Sequence, residues 1–200
     1  MIDLSSNLLI SLVSILSNAS PVSFALYEFI LANDEVFDNC PQIPGNRGIH
    51  DLFDMANVTL VYSEGRVTIG GSGVCNWEGM QPNDRIRSRA ELLKYHRGTW
   101  QPTPLSSATN NFCETLFDPT SLTYHMWGRH IVESERKCVS NYGHIYHYCH
   151  FMVDTVLEFP WNIEGRHKLV YRSRAYDSTS NRPRPKEICI QVFGEFIKVK

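Results

Sequence analysis

The sequence lacks any excess or clustering of one charge. Its 200 residues carry a formal net charge of −2 at pH 7, and no run of five like charges occurs. Nucleic-acid-binding domains usually carry a basic patch or stripe, so this balance argues against a nucleic-acid partner. The densest basic segment, RPRPK at 182–186, is interrupted by two prolines and is typical of a solvated loop.

The sequence also lacks the short motifs of common enzyme classes. It contains no G-x-S-x-G, no phosphate-binding loop and no dinucleotide fingerprint. His144, His147 and His150 lie three residues apart among strand-forming residues, so they point to alternating faces and do not share a metal site. Carboxylates are scattered, although the acid pair of a glycosidase can be remote in sequence and stays open. We therefore predict a non-enzymatic protein with no cofactor and no metal.

No cysteine belongs to a C-x-x-C pair, which disfavours a structural zinc site. The chain nevertheless has six cysteines, an even number that is typical of disulfides in an oxidising compartment. They are Cys40, Cys75, Cys113, Cys138, Cys149 and Cys189. Six cysteines allow many pairings, and their spacing alone does not select one.

The first 25 residues predict secretion. Residues 8–16 are apolar, and Ser23 and Ala25 are small residues at the −3 and −1 positions of a cleavage site, although no Lys or Arg precedes the apolar run. An uncleaved anchor is the alternative, but the run is too short for about 30 Å of hydrocarbon. We predict a signal peptide at 1–25, one extracellular domain at 26–200, no stable membrane span, and a glycan on Asn57 of the Asn57-Val58-Thr59 sequon.

Alternation of apolar and polar residues predicts a mainly β protein. Strands are expected at 26–37, around 58–63, at 67–77, from Leu92, at 145–159 as one long strand, at 167–176 and at 188–199. Glu64-Gly65 predicts a tight turn because glycine tolerates positive φ. Glycines at 70, 71 and 73 predict a bulge in the returning strand, or a close approach by ligand or backbone. Short spacing between strands favours a β-sandwich or β-cup.

One segment, 105–131, departs from the strand pattern. Leu105, Ala108, Phe112 and Leu116 recur at helix spacing, and Asp118-Pro119 ends that helix and opens a second one. The sequence therefore predicts a short helical insert in the β fold. The tryptophans at 77, 100, 127 and 161 lie at strand ends or in this insert, where the rim of a cup would lie; ordinary core packing is the alternative.

Two segments carry a resemblance to known families. LLKYHRGTWQPTPLSSATNNFCETLFDPTSLTYHMWGRHI at 92–131, with WEGMQPNDRI upstream, resembles the insect CheB family of secreted chemosensory proteins. The closing part, with Phe159-Pro160, Glu164-Gly165 and Glu187-Ile188-Cys189-Ile190, is similar to the ML lipid-recognition superfamily, which includes the ganglioside-activator protein. The resemblance implies a β-cup with an apolar cavity, no enzymatic activity, and a lipid, cuticular hydrocarbon or pheromone as ligand in gustatory detection, with a chemosensory receptor as a further partner.

The same resemblance implies a disulfide map. The first cysteine of the mature chain pairs with the one in the closing strand, here Cys40 with Cys189. Cys113 and Cys138 flank the helical insert and are expected to fix its ends. Cys75 and Cys149 remain as the third pair, both on predicted strands.

We predict that the ligand lies between the sheets with the 105–131 insert at the mouth. The residues predicted to line or rim this cavity are Trp100, Phe112, Trp127, Phe151 and Trp161, with Arg129 or His130 as polar groups near the mouth. A protein-binding accessory of a receptor, with a solid interior, is the alternative. The sequence does not separate the two, because a cavity-lining Phe and a core Phe look alike.

Overall fold

The computed structural model describes residues 24–41 and 46–199, and the signal-peptide prediction lies almost wholly outside this part. The described strands are β1 Ala25–Leu31, β2 Asp38–Asn39, β3 Asn46–Arg47, β4 Phe53–Ser63, β5 Arg66–Cys75, β6 Arg85–His96, β7 Thr99–Thr109, β8 Ile145–Met152, β9 Val156–Phe159, β10 Gly165–Tyr176 and β11 Pro183–Lys198. The helices are α1 Ile49–Leu52, α2 Phe112–Phe117 and α3 Leu122–Met126, followed by 3₁₀ turns at Gly128–His130 and Glu133–Glu135. The predicted mainly β fold class is confirmed.

A large sheet forms one layer of the molecule. Its order is β7-β6-β10-β11-β1-β9, and the short strands β2 and β3 also pair with β11. All of its pairings are antiparallel except that of β3 with β11. β1 ends at Leu31, short of the predicted 26–37, because Asn33, Asp34 and Glu35 are poor strand formers.

A small sheet of β4, β5 and β8 forms the second layer. The turn predicted between β4 and β5 is confirmed, with φ of 51° at Glu64 and 80° at Gly65. The tip of this hairpin reaches β1: the Arg66 Nε donates to the Glu28 carboxylate at 2.6 Å, and the Tyr62 hydroxyl donates to the Leu31 carbonyl at 3.2 Å. The small sheet is thereby tied to the large sheet at its far end.

The predicted bulge lies on the neighbours of the glycine-rich strand rather than on that strand itself. The register between β4 and β5 shifts between Asp54 and Asn57, and the register between β5 and β8 shifts where Gly71 pairs with Tyr148. Both extra residues belong to the partner strands. β5 therefore keeps one continuous face from Val67 to Cys75, as the sequence alternation predicted.

The predicted long strand at 145–159 is wrong, because the chain breaks at 153–155. β8 belongs to the small sheet, whereas β9 pairs with β1 at the edge of the large sheet. The sequence did not indicate that the chain changes sheets here, because strand-forming residues lie on both sides of the break. One run of the sequence thus connects the two layers.

The helical insert is shorter than its spacing predicted. Leu105 and Ala108 belong to β7, where the register with β6 shifts between Glu91 and Leu93, and helix α2 begins only at Phe112. α2 ends at Phe117 as expected, but Ser121 rather than Asp118 caps α3, since its side chain accepts from the Tyr124 amide. Extra residues in a bulged strand imitate helical spacing over one or two turns.

Two buried clusters lie on the inner side of the large sheet, and a third, of Cys40, Val170 and Cys189, lies on its outer face. The larger inner cluster surrounds Trp77, Ile86 and Tyr146, and the smaller inner cluster contains Tyr27, Ile163 and Phe196. The insert completes the larger cluster through Phe112 and Leu116, both buried. Packing of these apolar side chains, at about 25 cal/mol per Å² of apolar surface removed from water, stabilises the pairing of the layers.

Candidate ligand-binding cleft

Strand register identifies which residues of the small sheet face the core. Phe53 of β4 pairs with Cys75, and beyond the bulge Val58 pairs with Gly71, Leu60 with Ile69 and Tyr62 with Val67. Directly paired residues share one face of a sheet, and Phe53, Cys75 and Val67 are buried. Leu60 and Tyr62 nevertheless remain 37% and 36% exposed. The core-facing side of β4 is therefore open to solvent along its second half.

The large sheet shows the same feature in its middle. Leu169 of β10 pairs with Leu92 of β6 and with Val192 of β11, on the face that carries buried Ala175 and Ile188. All three apolar side chains are only partly buried although their strands are internal to the sheet. They lie between the two inner core clusters, which do not merge.

We define the inter-sheet cleft by these core-facing apolar residues. Its members are Val58, Leu60, Ile69 and Phe151 on the small sheet and Ala90, Leu92, Leu169 and Val192 on the large sheet. Gly71 and Gly73 lie on the same inner face of β5 and add no side chain there. Apolar groups exposed between two sheets provide a surface on which a hydrocarbon chain can bind without polar contacts.

Two further clefts lie outside this surface. One has a volume of about 240 Å³ beside Trp77, Met80 and Lys186, and the other has a volume of about 230 Å³ beside Arg87 and Arg174. Both are smaller than the roughly 300–1,000 Å³ of typical ligand pockets. None of the five residues predicted to line the cavity contributes to either.

Phe112 and Trp127 are the two predicted lining residues that the fold brings together. Their ring centroids lie 6.2 Å apart; Phe112 also contacts Tyr171 of the large sheet at 6.2 Å, and Trp127 contacts Phe53 of the small sheet at 5.5 Å. The pair bridges the two sheets inside the larger core cluster. These residues close one side of the sandwich by packing and do not line the inter-sheet cleft.

Phe151 lies at the cleft, where the insert meets β8. The His130 ring stacks on the Phe151 ring with centroids 3.6 Å apart and planes 2° from parallel. The Arg129 guanidinium lies 3.1 Å from the His130 ring. Burial and the neighbouring Arg129 charge hold the pKa of His130 below the ordinary histidine value. Arg129 and His130, predicted as polar groups near the mouth, are thus next to Phe151, which was predicted as a lining or rim residue.

Trp100 and Trp161 lie away from the cleft. Trp100 packs on the outer face of the large sheet against Tyr95 and Phe193, with Lys168 Nζ 4.9 Å from its ring. Trp161 follows β9, contacts Phe159 at 6.1 Å, and is 46% exposed. Neither residue faces the inter-sheet cleft, because a position at a strand end does not specify the face of the sheet; a role at the rim stays a prediction.

Two histidines of the GHIYHYCH segment, His144 and His147, contact Glu135 in the 3₁₀ turn that precedes β8. The His144 ring lies 2.6 Å from the Glu135 carbonyl oxygen, and the His147 Nδ1 lies 2.7 Å from the Glu135 carboxylate. The His147 amide hydrogen bond lowers the pKa of that carboxyl most, and His147 and His144 add to the effect. Within the described ranges, no group of three His, Cys, Asp or Glu side chains is arranged to hold a metal ion.

Buried hydroxyls supply further polar groups near the core. Burial raises the pKa of Tyr148 to about 12, so its phenol stays neutral at physiological pH. The Tyr171 hydroxyl lies 2.9 Å from the Ser88 hydroxyl, which in turn lies 3.0 Å from the Ser173 hydroxyl. The hydroxyls of Tyr171, Ser88 and Ser173 form hydrogen bonds with one another. None of these three is paired with a base, as a nucleophile requires.

Two of the three predicted disulfides are confirmed. Cys40 and Cys189 are bonded with Cα atoms 5.5 Å apart, and Cys113 and Cys138 are bonded with Cα atoms 5.2 Å apart. Cys113 is at the start of α2 and Cys138 follows the 3₁₀ turns, so this bond does join the ends of the insert. Disulfides of this kind fit an oxidising, extracellular environment.

The third predicted pair, Cys75 with Cys149, is wrong. Cys75 is buried and Cys149 is exposed, and both are free thiols. The Cys75 amide donates to the His144 carbonyl, which places Cys75 beside the start of β8. Cys149 lies five residues further along, a distance of about 17 Å at 3.4 Å per strand residue. Placing the two cysteines on adjacent strands was not sufficient to predict a disulfide between them, because the strand register determines which residues are neighbours.

Asn57, the predicted glycosylation site, has an exposed side chain at the bulge of β4. It pairs with Ser72, whose neighbours Gly71 and Gly73 are on the core-facing side, so Asn57 points outward. A glycan there would project away from the inter-sheet cleft. Glycosylation stays a prediction.

None of the residues that matter most to the cleft was predicted to line it: Leu60 was expected only as a strand residue, and Leu169 and Val192 only as part of the resemblance of the closing segment to the ML superfamily. Their alternation predicted strands, but only the register reveals which of two apolar faces is open. One feature of the sequence did indicate an open inner face: on β5, the glycines at 71 and 73 occupy alternate positions where bulky residues would otherwise fill the space.

Comparison with known proteins adds no family assignment. No protein-family model matches the chain, and no curated protein sequence matches it. Among residues 24–41 and 46–199, every helix is too short or too polar to cross a bilayer.

Proposed function

We propose that the protein is a secreted, non-enzymatic binding protein that holds a lipid or hydrocarbon-like ligand in the inter-sheet cleft. The observation that carries this proposal is that Leu60 and Tyr62, on the core-facing side of β4, are exposed although Phe53 on the same face is buried. Exposed apolar surface of this kind is typical of a binding site. The resemblance to CheB proteins supports a chemosensory setting.

Affinity would come mainly from the hydrocarbon part of the ligand. Each CH₂ removed from water contributes about 0.8 kcal/mol before the costs of ordering the chain. No specific polar contact is then needed for binding. His130 and Arg129, beside Phe151 at the edge of the cleft, are suited to contact a polar end group and so to select among ligands.

A receptor accessory without a ligand is the second candidate. It is favoured by the insert, where Leu122 and Met126 of α3 are both exposed and lie four residues apart on one helix face. Such a pair can dock into an apolar groove of a partner protein. This candidate does not use the inter-sheet cleft.

Uptake of a fluorescent fatty acid or hydrocarbon probe by secreted, disulfide-bonded protein tests the proposal. A matched pair of variants is available on β4, because Leu60 faces the cleft and its neighbour Val61 faces outward and is 53% exposed. Leu60→Lys should weaken probe binding about tenfold or more, since it places a charge against apolar surface. Val61→Lys should bind the probe like the wild type.

Native mass spectrometry of the same secreted protein complements the probe assay by detecting co-purified lipid. If the wild type takes up no probe and carries no lipid, the carrier proposal fails and the receptor accessory becomes the better interpretation. If both lysine variants bind the probe equally well, binding occurs elsewhere on the molecule.

A further inference from the structure

The outer face of the large sheet concentrates arginines that the sequence disperses. In the pairing of β6 with β10, Arg87 lies opposite Arg174, and Arg89 lies opposite Arg172. Arg85 is the next outward residue on β6 and pairs with Tyr176. We call these five arginines (85, 87, 89, 172 and 174) the arginine face. Like charges directly opposite each other destabilise a sheet, so this arrangement needs a compensating interaction.

Acidic side chains compensate only part of this charge. Glu187 of β11 lies 2.8 Å from Arg174 and 3.5 Å from Arg172, and Glu91 lies 2.8 Å from Arg89. Two carboxylates thus serve three of the five arginines. This imbalance occurs in a chain with a formal net charge of −2, so it is a local feature and not a general basicity.

Arg85 and Arg87 have no carboxylate at ion-pair distance among residues 24–41 and 46–199. The Asn181 side-chain oxygen accepts hydrogen bonds from both guanidinium groups, with a distance of 3.2 Å to Arg87. The Arg87 guanidinium also lies 4.2 Å from the centre of the Tyr176 ring. An amide oxygen and a ring face orient a guanidinium without neutralising it.

Two donors at the centre of the arginine face are unsatisfied. The Nε atoms of Arg87 and Arg174 are inaccessible to solvent and have no acceptor in the described part of the chain. A buried donor without an acceptor destabilises the folded state, and more so when it is charged. Because Arg87 and Arg174 are cross-strand partners, both donors are unsatisfied at one place.

A cleft of about 230 Å³ lies over these residues. Arg87, Arg89, Arg172 and Arg174 line it together with Glu187, and Thr109 and Asn110 at the end of β7 add polar side chains. This volume accommodates a small oxyanion with its hydration and is too small for a long apolar ligand. All the cations that line it are arginines, whose planar forks bind oxyanions through two parallel hydrogen bonds.

We propose that the arginine face binds a phosphate or sulfate group, held between the Arg87–Arg174 pair and the Arg89–Arg172 pair. The bound group adds negative charge to that of Glu187 and Glu91, and it accepts hydrogen bonds from the guanidinium groups that line the cleft. The site is on the opposite side of the large sheet from the inter-sheet cleft. It therefore does not depend on the proposed carrier function.

Titration of the secreted, disulfide-bonded protein with inorganic phosphate and with sulfate, by calorimetry and by shifts of the arginine side-chain NMR signals, tests the site. Chloride at matched ionic strength is the reference. The double variant Arg87→Gln/Arg174→Gln should lose about tenfold or more in affinity, since it removes the charge-assisted hydrogen bonds of two guanidinium groups. Arg97→Gln, which removes one positive charge from the exposed β6–β7 turn and is the control for a single-arginine variant of the site, should leave binding unchanged.

Arg89→Gln provides a milder change if the double variant does not fold, because the Arg89 side chain is largely exposed. Flotation with phosphatidylcholine vesicles containing phosphatidic acid separates the sources of the group. Binding to inorganic phosphate or sulfate without vesicle binding assigns a free anion, and additional vesicle binding that Arg89→Gln weakens assigns a lipid head group. Absence of both, or equal binding by wild type, Arg89→Gln and Arg97→Gln, overturns the proposal.

Discussion

Removal of the Cys40–Cys189 disulfide should destabilise the protein more than removal of Cys113–Cys138. The two bonds close loops with sequence separations of 149 and 25 residues. In the chain-entropy model, a cross-link stabilises by restricting the unfolded chain, and the effect grows with the logarithm of loop length. The model gives roughly 5 kcal/mol for the first bond and roughly 3.5 kcal/mol for the second.

The measurement compares two double variants, Cys40→Ala/Cys189→Ala and Cys113→Ala/Cys138→Ala, by urea denaturation. The difference in unfolding free energy should be about 1.6 kcal/mol, with the longer loop costing more. The slope of the transition should also be steeper for both variants, since a chain with fewer cross-links exposes more surface when it unfolds.

Packing is the main confounder, since Cys40 and Cys189 are buried against Val170 and Leu93. A second version with valine at Cys189 restores volume on the outer face of the sheet while leaving the cross-link absent. If valine recovers most of the lost stability, or if the insert disulfide proves equally costly to remove, the bond does not act by restricting the unfolded chain and the reasoning is refuted.

Three further predictions concern single side chains. Trp127→Ala should lower the unfolding free energy by about 3–5 kcal/mol because it leaves a cavity beside Phe53, whereas Trp161→Ala should cost within about 1 kcal/mol. Equal costs in urea denaturation would contradict the packing of the partly buried Trp127 against the core. Burial lowers the pKa of His167, so the unfolded chain takes up the proton more readily, and the melting temperature should fall as pH decreases below about 6.5. His167→Gln should make the melting temperature less dependent on pH in this range. If the pH dependence is unchanged in the variant, other groups cause it. A thiol reagent should modify Cys149 in the native protein but reach Cys75, whose Sγ donates to the Val139 carbonyl at 2.9 Å, only after unfolding, and peptide mass spectrometry decides between the two sites.

Local patterns in the sequence predicted the fold class and several of the strands, but not every element and not the face to which each residue belongs. Alternation and turn residues predicted β4, the Glu64-Gly65 turn and β10 within a few residues. The same alternation did not reveal that residues 145–159 change sheets, because strand propensity continues across the break. The bulge in β7 gave Leu105 and Ala108 a helical spacing that the backbone does not have.

The candidate sites needed register as well as pattern. Trp100 and Trp127 were both predicted at the rim, yet pairing with Tyr95 puts Trp100 on the outer face of the large sheet, whereas Trp127 follows helix α3 and packs against Phe53. The arginine face could not be predicted from the sequence either, because it also depends on strand pairing. Arg87 and Arg174 are 87 positions apart and become neighbours only through the pairing of β6 with β10. A composition near neutrality conceals such local concentrations of charge.

The connectivity of β11 has a consequence for biosynthesis. β11 comes last among the described strands, yet it pairs with β10, β1, β2 and β3, and it supplies Cys189 for the longer disulfide. The earliest strands therefore leave the ribosome well over a hundred residues before their partner, and their apolar faces stay uncovered during that interval. Non-local pairing of this kind slows folding, because loop-closure entropy is lost before the contacts form. Nascent chains of this protein should accordingly depend on chaperones until β11 emerges, and Cys40 should remain available to wrong partners longer than Cys113, whose own partner follows after 25 residues.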